Sequence, residues 1–182
     1  RVIPPRDWDE LLAYAVRLTE RDEQGRITQL GFAPNLGNSW LYLYGWLNGG
    51  RFMSEDGRTV TLDDPAIVEA LDYMDRLYEA VGGAEAVDAF VGSTSGQAFD
   101  PFLTGRLAMK IDHNGNLLRI AEFAPDLAFG LAPPPAPTGR ASLTWSGGFS
   151  YVIPRGAQHE AIAFELIRYL VSDAGWAVQH EV

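Results

Sequence analysis

An α/β fold is predicted for this 182-residue chain by three features of its sequence. Helical stretches with a one-sided apolar stripe recur along it, most clearly at 65–81. Short apolar runs of strand length, such as 107–111, lie between them. No internal repeat and no sustained heptad competes with that alternation. A hydrophobic fraction of 47% against 21% charged residues gives enough apolar material for a substantial core.

The elements follow in order. Asp7 and Glu10 have capping-box spacing, and Trp8, Leu11, Leu12, Ala15 and Leu18 recur with helical period, which predicts a helix over 7–21. Asp22-Glu23-Gln24-Gly25 is a turn, and 27–33 reads as a buried strand that stops at Pro34. A polar loop, 35–39, feeds an aromatic helix over 40–47, closed by Asn48-Gly49-Gly50 in a left-handed C-cap. Residues 51–53 and 59–61 flank a hairpin turn at 55–58. Asp64 caps a helix that has Pro65 at its first position and Ile67, Leu71, Met74, Leu77 and Val81 as its stripe; Gly82-Gly83 ends it. Residues 84–104 are expected to hold two short helices around 92–96. A strand over 107–111, a helix over 117–123 and a strand over 127–131 complete this part. Pro133-Pro134-Pro135 and Pro137 form a stiff linker and the best boundary in the chain. Beyond it come a strand over 149–153, a helix over 159–172 and the start of another from Asp173.

Composition removes several function classes. A net charge of −10 repels phosphate backbones, so nucleic acid is not expected as a partner. With no cysteine there are no disulfides, thiolate metal sites or cysteine nucleophiles. No apolar run approaches the length of a membrane span. The sequence opens at Arg1 with no signal peptide, and reads as a trimmed piece of a longer chain.

Catalytic chemistry finds little purchase. His113, His159 and His180 have no metal-ligand spacing, so no metal and no cofactor is expected. Asp100, Asp112 and Asp126 lie near loops, but a glycosidase needs two carboxylates facing each other across the scissile bond. Helix caps and solvated turns account for all three. Gly92-Ser93-Thr94-Ser95-Gly96 lacks nucleophile-elbow spacing, and no phosphate-binding glycine motif occurs.

What remains is rich in aromatics and amides. Asn35 and Asn38 precede Trp40, Tyr42, Tyr44 and Trp46; a second loop carries His113, Asn114 and Asn116; a third carries Thr144, Trp145 and Ser146. Sugars suit this mixture, because their C–H faces stack on aromatic rings while amides and hydroxyls bond the ring hydroxyls. Alternate members of 40–46 must face the core, leaving one or two aromatics for a ligand. Trp8 and Trp46 are expected to be helix-packing residues.

The order of segments resembles the carboxy-terminal lobe of family 1 extracellular solute-binding proteins, maltose-binding-protein-like subunits of ABC transporters. Pro4-Pro5-Arg6-Asp7-Trp8-Asp9-Glu10-Leu11 is similar to the family's helix start after the hinge, with aspartate in place of threonine. Gly31-Phe32, Trp40 and Asn48-Gly49-Gly50 resemble its strand, ligand loop, helix and turn. Phe102-Leu103-Thr104-Gly105-Arg106-Leu107-Ala108-Met109 matches its Phe-x-x-Gly-Lys/Arg-x-Ala-Met signature, which leads into a binding loop, here 113–116. Gly147-Gly148 and Ala163-Phe164 resemble the return through the hinge.

The resemblance implies a type II periplasmic-binding-protein-like lobe, a mixed sheet flanked by helices, in a truncated two-lobe protein. Residues 1–132 would be the main part of the lobe, 133–148 the hinge crossing, and 149–182 a segment returning to the other lobe. It also implies an extracytoplasmic, non-enzymatic subunit that captures a sugar or polyol by hinge closure and presents it to a permease. The ligand residues would be Asn35, Asn38, Trp40, Asn114, Asn116 and Trp145, the last serving either the ligand or hinge packing. Many members carry an aromatic residue after the Ala-Met strand, where this chain has Asn114-Gly115-Asn116-Leu117. A glycosidase and an interaction module on the same fold are the rivals. The segment after Pro137 should expose apolar surface and allow the chain to dimerise.

Overall fold

The computed structural model describes residues 3–93, 100–148 and 150–180. The chain divides into two compact units, Arg1–Trp145 and Ser146–Val182.

The first unit begins with α1, Trp8–Arg17, capped by Asp7, whose carboxylate accepts the Glu10 N–H at 2.9 Å. The reciprocal arm of the expected capping box is displaced by one residue. Glu10 accepts the backbone N–H of Arg6 at 2.9 Å and also binds the Arg6 guanidinium. The Arg6 side-chain bond, with that backbone bond, holds the Glu10 carboxyl down at about 2.

The helix ends at Arg17, not at 21 as predicted. The Thr19 hydroxyl donates back to the Ala15 carbonyl at 2.7 Å and accepts the Gly31 N–H at 3.0 Å, which turns the chain into the sheet. Glu20–Arg21, β1, then pairs antiparallel with β2, Ile27–Gly37, through a turn in which Gly25 has φ +80°. A Cβ on Gly31 would run into the Ala15 carbonyl, so this close crossing of α1 over the strand requires glycine.

β2 does not stop at Pro34. It pairs in parallel with β3, Leu107–Ile111, matching Leu30 to Leu107 and Phe32 to Met109, then shifts register before Gly37 meets Ile111. That irregularity spans the position where proline has no N–H to give. The sheet order is β1-β2-β3, with one antiparallel and one parallel pairing. The expected mixed sheet flanked by helices is therefore present, with three strands among the described residues, of which only β2 is long.

Helix α2, Leu41–Leu47, ends with Gly49 at φ +85°, as its sequence predicts. The hairpin at 51–61 is reduced to a single antiparallel bridge, Met53 to Val60. Helix α3, Pro65–Val81, has the predicted Asp64 cap, its carboxylate accepting the Ala66 N–H. Its buried stripe is Ile67, Ala70, Tyr73, Met74, Leu77 and Val81; Leu71, assigned to the stripe from sequence, faces solvent. Helix α4, Ala84–Gly92, follows, and the second short helix expected before 104 falls partly on 94–99, outside the described residues. Helix α5, Asn116–Phe123, starts one residue earlier than predicted.

The core gathers α1, β2, α2, α3 and β3. At its centre the Trp8 and Tyr73 rings stack at 4.1 Å and 10°. The Tyr73 hydroxyl donates to the Trp8 carbonyl at 2.7 Å, and the Tyr44 hydroxyl to the Pro34 carbonyl at 3.0 Å. Burial pushes both phenols above their usual range.

The proline segment is pinned here too. The Trp8 indole N–H reaches the Pro135 carbonyl at 3.1 Å, its backbone N–H the Ala136 carbonyl at 3.2 Å, and Asp7 bridges Ala136. The strand predicted over 127–131 is absent: this stretch runs largely exposed with no ladder partner.

The second unit holds α6, Glu160–Leu170, and α7, Asp173–His180. The predicted strand at 149–153 does not form over 150–153, and Phe149 lies outside the described residues. A strand needs a neighbour to pair with, and the described residues of this unit contain only helices. No residue of α6 is buried; Ile162, Phe164, Leu166 and Tyr169 are all open. No helix among the described residues is long and apolar enough to cross a membrane.

Candidate functional site

The parallel strands β2 and β3 end side by side, and loops that follow parallel strands at their carboxyl ends are where α/β sheets place ligands. Asn38 donates its N–H to the Ile111 carbonyl at 2.9 Å, so the loops after the two strands are tied together. The Ser39 hydroxyl, fully buried, donates to the Leu36 carbonyl at 2.7 Å and accepts the Leu36 N–H at 3.2 Å, fixing the first loop.

Trp40 caps α2 and is half-exposed. Its ring meets Tyr42 edge-on at 5.4 Å; Tyr42 meets Trp145 edge-on at 5.3 Å and Trp46 at 5.2 Å; Trp46 meets Phe52 at 5.9 Å. Tyr42 is thus the hub of an aromatic strip joining Trp40 and Trp145, two candidates separated by more than a hundred residues in sequence. The expectation of strict alternation over 40–46 is corrected by helical period. Tyr42 and Trp46, four residues apart, share the outer face, while Leu43, Tyr44 and Leu47 are buried. Trp46, expected to pack on its helix, does pack on Tyr42 and Phe52 but stays 36% exposed. That spacing was the signal for both rings.

The other candidates are dispersed. Asn35 is exposed and lines a groove of about 350 Å³ with Leu41, Leu71, Met74, Asp75 and Tyr78, none of them a ring of the aromatic strip. Asn114 is exposed in the second loop. Asn116 is 5% exposed at the start of α5, and its Oδ1 meets no donor among the described residues.

Beneath the second loop lies a cluster the sequence reading missed. Lys110 Nζ lies 2.8 Å from Asp100 Oδ2 and 2.7 Å from Asp112 Oδ2, all three side chains largely buried, with Arg119 4.0 Å from Asp100. The reading of Asp100 and Asp112 as caps or solvated turns is corrected in part: Asp100 does cap a turn, but neither carboxylate is solvated, and both converge on one ammonium. A lysine inside an apolar strand run, with an aspartate two residues on and so on the same face, was the available signal.

The turn of the Phe-x-x-Gly motif supplies Asp100, which also accepts the Phe102 N–H at 2.9 Å; Gly105 at φ +72° completes that turn. Burial pushes the Asp100 carboxyl up, but the Lys110 bond, the Phe102 N–H and the nearby Lys110 and Arg119 charges outweigh it, and the group ends below the usual carboxylate range. A carboxyl whose folded pKa is depressed stabilises the fold above its unfolded value and loses that contribution as pH falls through the folded one. Melting temperature should therefore fall on acidification below about pH 4. Asp100→Asn should flatten that fall while melting lower at neutral pH. Glu10 titrates in the same direction, so the difference between the two curves isolates Asp100. Parallel curves would remove Asp100 from the account.

Among the described residues no group of three or more histidines or carboxylates is arranged to hold a metal ion.

The description of the bacterial extracellular solute-binding protein family matches residues 2–175. The chain belongs to this family. Its fold is shared by CpMnBP1 with mannobiose bound, 26% identical with a TM-score of 0.75, over 92% of this chain and 43% of that one. CpMnBP1 with mannotriose bound gives 25% identity and the same score and coverage. An ABC transporter solute-binding protein from Thermotoga lettingae TMO, bound with alpha-D-tagatose, is 26% identical with a TM-score of 0.66, over 98% of this chain and 45% of that one. This family member thus spans less than half the length of each of these relatives.

Proposed function

We propose that this chain is most of the carboxy-terminal lobe of an ABC importer's substrate-binding subunit. It captures a carbohydrate or related polyol outside the cytoplasm and hands it to a membrane permease. The aromatic strip at the carboxyl end of β2 carries the reading. Its rings offer stacking faces, and the tied loops beside it offer the side-chain amides of Asn38 and Asn114. The family membership and the sugars in the similar structures support it. In this reading residues 1–132 form the lobe, 133–148 cross the hinge and 149–182 return to the other lobe. The open apolar residues of α6 then pack on that lobe, and in the isolated chain they drive dimerisation. The ligand bridges both lobes and favours the closed state through contacts made only when shut.

Catalysis is not part of the proposal. A glycosidase's acid needs a raised pKa, whereas Asp100 is held low and shares Lys110 with Asp112.

Calorimetry with mannobiose, mannotriose and tagatose tests the reading. The full-length protein should bind at least one of them without consuming it. This 182-residue chain should bind the same sugar at least about tenfold more weakly, since one wall of the site is missing. No binding by the full-length protein sinks the reading; equal affinity sinks the shared site.

A further inference from the structure

Lys110, 5% exposed and next to last in β3, costs desolvation that two carboxylates offset. Replacing such a buried ionic group with packed apolar side chains is often neutral or stabilising, so stability alone does not account for it. The geometry around Asp112 suggests another use. Its Oδ2 takes the Lys110 ammonium at 2.7 Å and its Oδ1 takes the His113 N–H at 2.8 Å. A carboxylate has about four lone-pair sites; two are taken, and the His113 Nε2 lies 3.7 Å from Oδ1, so at least one remains on Oδ2.

Gly37, at φ +70°, brings the backbone of the first loop close to this carboxylate: a Cβ there would lie 2.5 Å from the Ile111 carbonyl oxygen, 3.3 Å from Asp112 Cγ and 3.4 Å from Oδ2. The loop of Asp112 holds a second acceptor with nothing to accept. Asn116 lies one turn before Arg119 on α5, and Arg119 approaches Asp100, so Asn116 sits on the helix face toward the cluster. Its buried Oδ1 has no donor among the described residues. Spare acceptors suit a ligand rich in hydroxyl donors, and O–H bonds to a carboxylate are charge-assisted.

We propose that Asp112 is the charged acceptor for paired hydroxyls of the ligand at the carboxyl end of the sheet, with Lys110 as its positioning residue. This rests on the sugar-capture reading.

The test uses the full-length protein and whichever of mannobiose, mannotriose and tagatose the wild type binds. Asp112→Asn keeps the shape and removes the charge; affinity should fall about tenfold to a hundredfold. Lys110→Met should fall similarly, and Lys110→Arg should recover most of the loss. Tyr73→Phe, a core change, should lower the melting temperature and leave affinity alone. Should Asp112→Asn fold poorly, the wild-type Asp112 carboxyl carbon resonance gives the answer, since it must shift on saturation with sugar. Unchanged affinity in Asp112→Asn, an unmoved resonance, or Lys110→Arg as weak as Lys110→Met overturns the proposal alone. A wild type that binds none of the sugars overturns the parent reading with it.

Discussion

Trp8→Ala is expected to lower the stability of the first unit by about 3–5 kcal/mol, the scale for deleting a buried tryptophan. The side chain is 8% exposed and stacks on Tyr73 at 4.1 Å, and its indole N–H holds the Pro135 carbonyl. Truncation removes the packing and leaves that carbonyl without its partner. Trp8→Phe should recover most of the packing but not the hydrogen bond, leaving a deficit of about 0.5–1.5 kcal/mol. Denaturant unfolding of the three proteins measures both steps. If Trp8→Ala costs under about 1 kcal/mol, the usual scale of an ordinary substitution, then Trp8 is not the centre of this core. A Trp8→Phe protein as stable as wild type would mean that the indole bond to Pro135 contributes nothing.

The largest effect on binding should come from the aromatic strip. Trp40→Ala and Trp145→Ala in the full-length protein should each weaken sugar affinity by about 1–3 kcal/mol, the loss of one aromatic stacking contact. That is about a five- to 150-fold change. Both rings lean on Tyr42, so Tyr42→Phe should be mild and Tyr42→Ala should match the double loss in affinity. Trp176, exposed in the second unit, is the control whose removal should leave affinity unchanged. Each variant needs two numbers, melting midpoint and dissociation constant. If Trp40→Ala and Trp145→Ala melt lower yet bind as wild type does, the strip is packing and the site lies elsewhere.

Local rules were readable where local physics decides. The Asp64 cap with Pro65, the left-handed Gly49 and the apolar run 107–111 all appear as the residues predict. The failures share a cause, which is partners distant in sequence. Helix α1 stops early because Thr19 finds Gly31, and β2 passes Pro34 because a register shift in its pairing with β3 absorbs the missing donor. The runs 127–131 and 150–153 have strand composition but no strand beside them among the described residues. In the candidate site, the resemblance singled out the loops after β2 and β3, which the Asn38 bond to Ile111 ties together. Periodicity should have added Tyr42 and Trp46, and the lone lysine of β3 should have led to Asp112. That Trp40 and Trp145 meet through one tyrosine could not be read from either segment alone.

The bridge between Asp7 and Ala136 has a topological consequence. It brings together two points 129 peptide bonds apart, so the chain between them is nearly a closed ring. Closing so long a loop is entropically expensive but only weakly dependent on its length. The stretch is therefore tolerant of insertions at exposed turns such as 55–58, which do not touch the closure. It is also suited to circular permutation, with a short link from 136 to 7 and new ends cut at that turn. As a module it could be spliced into a host chain through two adjacent junctions, leaving both flanks of the host side by side.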